Sequence, residues 1–233
     1  MKKTFLILFY ITIIHYTMAQ ENTKMKAGGS GGFTIGIGNT DVSTLRAFMA
    51  EGTGKFNNTQ FLVGGTGHAF IENFVIGGSG TAIIGDKIKS DSTIVSLGGG
   101  MGTFDIGYLL YNNDKLKIYP MIGIGGTSMG VQIIKNKNYT SNQIVNNPWQ
   151  EINIGLGALV LDLSLNIDMI PLLQYDEKEK SYGGFLTALK LGYAISPTSS
   201  DWMFAGGDIT NGPRYGLNMF YVKAILGGFG FQK

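Results

Sequence analysis

The chain of 233 residues has no cysteine and only two histidines. Without cysteine there is no disulfide framework, no thiolate metal site and no lipid-anchored lipoprotein. His15 lies in the apolar N-terminal stretch, which leaves His68 alone in the rest of the chain. A zinc site of ordinary type therefore lacks its donor set, and any Ser-His-acid arrangement would have to use His68. Proline is scarce at 5, and charged residues make up only 15%. The formal charge is +2, and Lys2 and Lys3 account for it. A chain that is otherwise neutral has no electrostatic footprint for nucleic acid. The N-terminal apolar run Phe5 to Ile14 has no charge and is too short to cross a bilayer as a helix.

That run follows Lys2-Lys3 and precedes Thr17-Met18-Ala19, with small residues three and one positions before Gln20. This is the pattern of a cleaved export signal. Residues 1–19 are expected to be a signal peptide, and residues 20–233 a single domain. An exported chain without disulfides must hold itself together by hydrogen bonds and packing.

Glycine is abundant. All 36 glycines follow Ala19, well over twice the usual share of about 7%. Phe (14) and Tyr (11) are also frequent, which is not a disordered composition. No Gly-X-Y period exists. Gly52-Thr53-Gly54-Lys55 looks like part of a phosphate loop, but Phe56 stands where Ser or Thr is needed. The clusters Gly98-Gly99-Gly100-Met101-Gly102 and Gly123-Ile124-Gly125-Gly126 lack a following helix and an acidic partner. Strand curvature is the reading left for these glycines, since small barrels need kinks to close. No cofactor is expected.

About eight strands separated by polar turns can be read from the sequence. They fall near Gly31–Gly38, Thr59–Ile71, Asn73–Ile84, Ser92–Tyr111, Leu116–Ile134, Trp149–Asn166, Tyr182–Ile195 and Tyr215–Phe231. Glu72-Asn73 makes a tight turn between the second and third. The spacing predicts an all-β, antiparallel up-and-down barrel of 8–10 strands. Asp41 to Ala50 differs, with Val42, Leu45, Phe48 and Met49 at helical spacing. A short helix is expected there, either as a plug or lid over one barrel end or packed on the rim. Trp149 and Trp202 suit a membrane interface or loop packing.

The seventh strand has the clearest alternation. Phe185, Thr187, Leu189, Leu191, Tyr193 and Ile195 form one bulky face, and Gly184, Leu186, Ala188, Lys190, Gly192 and Ala194 the other. A soluble barrel would turn its bulky face inward and a polar face outward. Here the second face is small rather than charged, as a lipid-facing wall around a tight lumen requires. The sixth strand sets Leu159, Leu161, Leu163 and Leu165 against Ala158, Val160, Asp162 and Ser164. The fourth sets Phe104, Ile106, Tyr108 and Leu110 against Thr103, Asp105 and Gly107. The fifth and eighth strands are apolar on both faces and leave their orientation open.

With its export signal, strand length, alternation and aromatic-rich last strand, the chain resembles the small bacterial outer-membrane β-barrels. The resemblance implies architecture and a location in the outer membrane of a Gram-negative cell, with membrane lipid as the partner. It implies no activity. Charges at mid-strand should then face the lumen, because at the lipid midplane each costs ~2–4 kcal/mol. Asp162 and Lys190, on consecutive strands, are expected to pair there, with His68, Asp105 and Lys223 as further lumen residues. No catalytic role is expected, and His68 reads as a polar residue of the wall. The functional expectation is a structural, interaction or limited transport role. The alternative is a soluble periplasmic or secreted lipocalin-like barrel that binds an apolar ligand.

Overall fold

The structure, a computed structural model, describes residues 27–43, 56–113, 115–137, 151–176, 181–204, 207–209, 212 and 216–232. Eight long strands carry the fold: β1 (Ala27–Thr40), β2 (Thr59–Ile71), β3 (Phe74–Lys89), β4 (Thr93–Tyr108), β6 (Leu116–Lys135), β7 (Glu151–Asp176), β8 (Ser181–Ile195) and β11 (Met219–Gln232). Three short ones are β5 (Tyr111–Asn112), β9 (Trp202–Phe204) and β10 (Gly207–Ile209). Each long strand pairs antiparallel with the next, β11 pairs with β1, and the sheet closes into a ring. Closure removes the unpaired edges that an open sheet would leave.

The ring is strongly staggered. From Leu165 the register passes through Leu191, Val222, Ile37, Phe61, Ile84, Gly98 and Gly130, and it returns to β7 at Gly155, ten residues earlier. Such a stagger tilts the strands and sets the girth of the barrel. It is even, so every side chain keeps its inward or outward sense around the circuit.

Glycines divide by face. On the inner face a methyl group would collide: at Gly123 with the Asp105 carboxylate, at Gly192 with the Tyr221 ring, and at Gly77 with His68. On the outer face Gly65, Gly80, Gly102 and Gly126 stand side by side in register, and a methyl group there meets nothing closer than 3.6 Å. The inner glycines make the lumen narrow enough to fill. These four outer ones are not needed for packing within the chain, whereas at Gly78, also outward, a methyl group would come within 2.9 Å of the Thr103 carbonyl.

The outer wall is apolar. Phe33, Ile35, Ile37, Phe104, Ile106, Ile122, Ile124, Leu161, Leu163 and Phe220 all project outward and are exposed. A closed barrel with an apolar belt is built to face lipid, where backbone groups have to be satisfied within the fold. This arrangement reverses a lipocalin-like one. On β6 and β11, ambiguous in sequence, the odd positions point inward: Lys117, Tyr119, Met121 and Met129, and Met219, Tyr221, Lys223, Ile225, Phe229 and Phe231.

The two ends differ. Ala27, Gln232 and the β2–β3 turn lie at one end, where the connections are short and Glu72 takes a positive φ of 53°. At the other end lie the longer connections β1–β2, β6–β7 and β8–β11, the last of them holding β9 and β10. β7 continues well beyond the expected end at Asn166, to Asp176. Pro171 does not stop it because it falls in the register shift between Met169 and Leu172, where a missing N–H is tolerated. The fourth expected strand breaks after Tyr108, and Leu109 turns into the core before β5. Ser43 is helical, and the rest of the helix expected over Asp41 to Ala50 falls on residues 44–50, outside the described residues.

Candidate functional site

The interior is layered. At the long-loop end an apolar cluster includes Val42, Phe56, Leu62, Met129, Trp202, Leu217 and Met219. Val42 and Phe56 come from the β1–β2 connection, and Trp202 and Leu217 from the β8–β11 connection, so loops help to stopper that mouth. At the short-turn end Phe70, Val75, Leu109, Tyr119, Phe229 and Phe231 form a second cluster. Between the two clusters runs a belt of polar and charged side chains.

Lys190 is the hub of the belt. Its Nζ lies 3.2 Å from Asp162 Oδ2 and 3.5 Å from Asp105 Oδ2. The Tyr221 hydroxyl reaches both Asp162 oxygens at 2.8 Å, and the space for its ring is left by Gly192. Lys223 donates to Thr81 Oγ1 at 2.8 Å and lies 4.4 Å from the centre of the Tyr221 ring. Asp105, Asp162, Lys190, Lys223 and Tyr221 are each no more than 2% exposed. A pair that is opposite in charge but buried must also satisfy its remaining hydrogen-bonding capacity, and the Tyr221 hydroxyl does this for Asp162.

Nearer the short-turn end is a second polar group, which the sequence did not mark. Tyr119 donates to Asp168 Oδ2 at 2.9 Å. Lys117 donates to Asn112 Oδ1 at 2.6 Å and to the Asn113 carbonyl at 3.1 Å, and it lies 5.0 Å and 5.3 Å from the Phe229 and Phe231 rings. Among the described residues the buried charges are three aspartates (105, 162, 168) and three lysines (117, 190, 223), so their formal charges cancel.

His68 faces the lumen, buried, with its Nε2 3.1 Å from Thr66 Oγ1 and its ring edge-on to Tyr119 at 6.1 Å. Ser79 shares its hydrogen bond with Thr103 at 2.9 Å, and Glu72 sits in the end turn. No Ser-His-acid relay runs through His68 among the described residues. Nor do they contain any group of three or more His, Cys, Asp or Glu side chains able to hold a metal ion.

The chain resembles the small outer-membrane barrels. No family model matches it, and no curated protein matches it. Among solved structures it is similar to Ail, the attachment invasion locus protein of Yersinia pestis, at 11% identity over 89% of this chain and 99% of that one, with a TM-score of 0.42. It is similar to the outer-membrane protein OprG of Pseudomonas aeruginosa, at 13% identity over 91% of this chain and 99% of that one, with a TM-score of 0.42. It is also similar to the outer-membrane protease OmpT of Escherichia coli, at 11% identity over 93% of this chain and all of that one, with a TM-score of 0.32. Likenesses at this level carry no activity across.

Proposed function

We propose that the chain is an outer-membrane barrel closed to solutes, with a structural or interaction role exercised at its long-loop end. The burial of the Asp105–Lys190–Asp162 belt carries this reading. A water-filled pore would leave these charges wetted, whereas none is more than 2% exposed. The cancelling charges fit structural neutralisation better than a pathway for one kind of ion. In outer-membrane barrels the short turns face the periplasm and the long loops the exterior. This orientation puts Ala27 and Gln232 on the periplasmic side and the β8–β11 connection outside. Residues 1–19 are the export signal in this account, and the mature chain begins at Gln20.

Fractionation of a Gram-negative host tests the location. The account expects the protein in the outer-membrane fraction, resistant to carbonate and released by detergent, with Gln20 at its N-terminus. Release into the soluble fraction without detergent would overturn it.

A further inference from the structure

We propose that internal water is bound on the inner face of β7, between the two polar groups of the lumen, with the Asn166 carboxamide as its anchor. Alternate residues of a strand share a face, and four successive inward positions of β7 are polar: Asp162, Ser164, Asn166 and Asp168, all buried. At about 3.3 Å per residue this run covers roughly 20 Å. Its ends are satisfied by protein. Asp162 meets Lys190 and Tyr221, and Asp168 accepts from Tyr119. Its middle is not. Asn166 is fully buried, and neither its Oδ1 nor its Nδ2 has a hydrogen-bond partner among the described residues. Ser164 Oγ has none there either, nor has Asp105 Oδ1, the carboxylate oxygen turned away from Lys190.

The register explains why Asn166 is left alone. It stands between Tyr119 on β6 and Lys190 on β8. Both neighbours are polar, and both turn away. Tyr119 donates to Asp168, and Lys190 runs back past the level of Ser164 to Asp162 and Asp105. Across on β8, Asp162, Ser164 and Asp168 face only Ala194, Gly192 and Ala188, which carry no side-chain polar group. A buried amide almost always finds a partner. Water fits this one because it donates and accepts, as the amide and the Ser164 hydroxyl both require. The Lys190 ammonium has three N–H donors and two carboxylate partners, which leaves one for water. Such a site supplies the two to four polar partners that buried water usually takes, about three on average. The buried charges of the described residues already cancel, so an added ion would stand uncompensated out of water. An apolar molecule would leave the amide unpaired. The closed lumen proposed above sets how long this water stays, and the inference rests on that reading in this respect alone.

The test is nuclear magnetic resonance of the deuterated, isotope-labelled full chain refolded in lipid nanodiscs, with water itself as the probe. Sequential assignment identifies the Asn166 side-chain amide protons, and their loss in Asn166→Leu confirms the assignment where that variant folds. In the unaltered chain these protons should show dipolar cross-peaks to water. The peaks should be opposite in sign to chemical exchange in the rotating frame, and should have the slow-motion sign of a molecule that tumbles with the barrel. The absence of such peaks, or close contacts from the amide to a protein carboxylate or hydroxyl in their place, would overturn the inference and leave the closed barrel standing. Cross-peaks with the fast-motion sign of bulk water would mean a wetted channel. That result would overturn both this inference and the reading of a closed lumen, which conductance measurements check separately.

Discussion

Lys190 Nζ lies 3.2 Å from Asp162 although the two residues are four positions out of register on neighbouring strands. Asp162 stands opposite Ala194, and Lys190 opposite Asn166. The flexible lysine side chain crosses this offset inside the lumen and meets Asp105 as well, from β4 on another part of the wall. One ammonium thus joins three strands, and its removal leaves two carboxylates facing each other out of water. Lys190→Met is predicted to destabilise the barrel by about 3–5 kcal/mol. Adding Asp162→Leu should recover only part of this, because Asp105 remains and the Tyr221 hydroxyl loses its acceptor. A double-mutant cycle from denaturant unfolding in lipid vesicles measures the coupling, and additive effects would show that the pair contributes nothing.

The glycines yield a prediction that depends on face alone. Gly123→Ala and Gly192→Ala insert a methyl group into the Asp105 carboxylate and the Tyr221 ring, and overpacking of this kind costs about 1–3 kcal/mol. Gly80→Ala and Gly102→Ala point into open space and should be neutral or stabilising by up to about 1 kcal/mol, as expected when strand glycine gives way to alanine. Unfolding midpoints of the four variants decide it. Equal losses at inner and outer positions would contradict the assignment of faces.

The outer wall can be tested with one charge. Ile122 is 64% exposed and lies between Ile106 and Leu163 in register. Ile122→Lys should cost about 2–4 kcal/mol if this position lies near the bilayer midplane, whereas a soluble barrel would accept it at an exposed site with little change. Unfolding in vesicles measures the difference.

His68→Ala removes a buried ring packed edge-on to Tyr119. The expected effect is a stability loss of about 1–3 kcal/mol, with no change in any binding measured at the loop end. A loss of function by orders of magnitude in a variant that remains folded would revive a catalytic role.

The fold was legible where the two faces of a strand differ in size. β8 alternates Leu189 and Leu191 against Ala188 and Lys190, and β7 alternates Leu161 and Leu163 against Asp162, so inside and outside can be read directly. β11 gives no such contrast. Its inward Phe229 and Phe231 fill the end of the lumen and its outward Phe220 and Leu226 belong to the apolar outer wall, and both places take bulky side chains. The Lys190 hub was partly legible, since mid-strand charges in an apolar wall must turn inward. The contact with Asp105 was not, because it joins strands that are not sequence neighbours. The Tyr119–Asp168 and Lys117 group was hidden for another reason. Asp168 lies beyond Asn166, the end of the strand expected from sequence, and the bulge at Pro171 that lets the strand continue is a tertiary feature.

The central claim is that the lumen is closed by its own charges and aromatic clusters. Single-channel recording of the full chain in a planar lipid bilayer tests it most directly. The account predicts no conductance steps above the bare membrane at neutral pH, whichever salt carries the current. Stable, reproducible steps from the unaltered protein would contradict it and would make the Asp105–Lys190–Asp162 belt a filter in place of a seal.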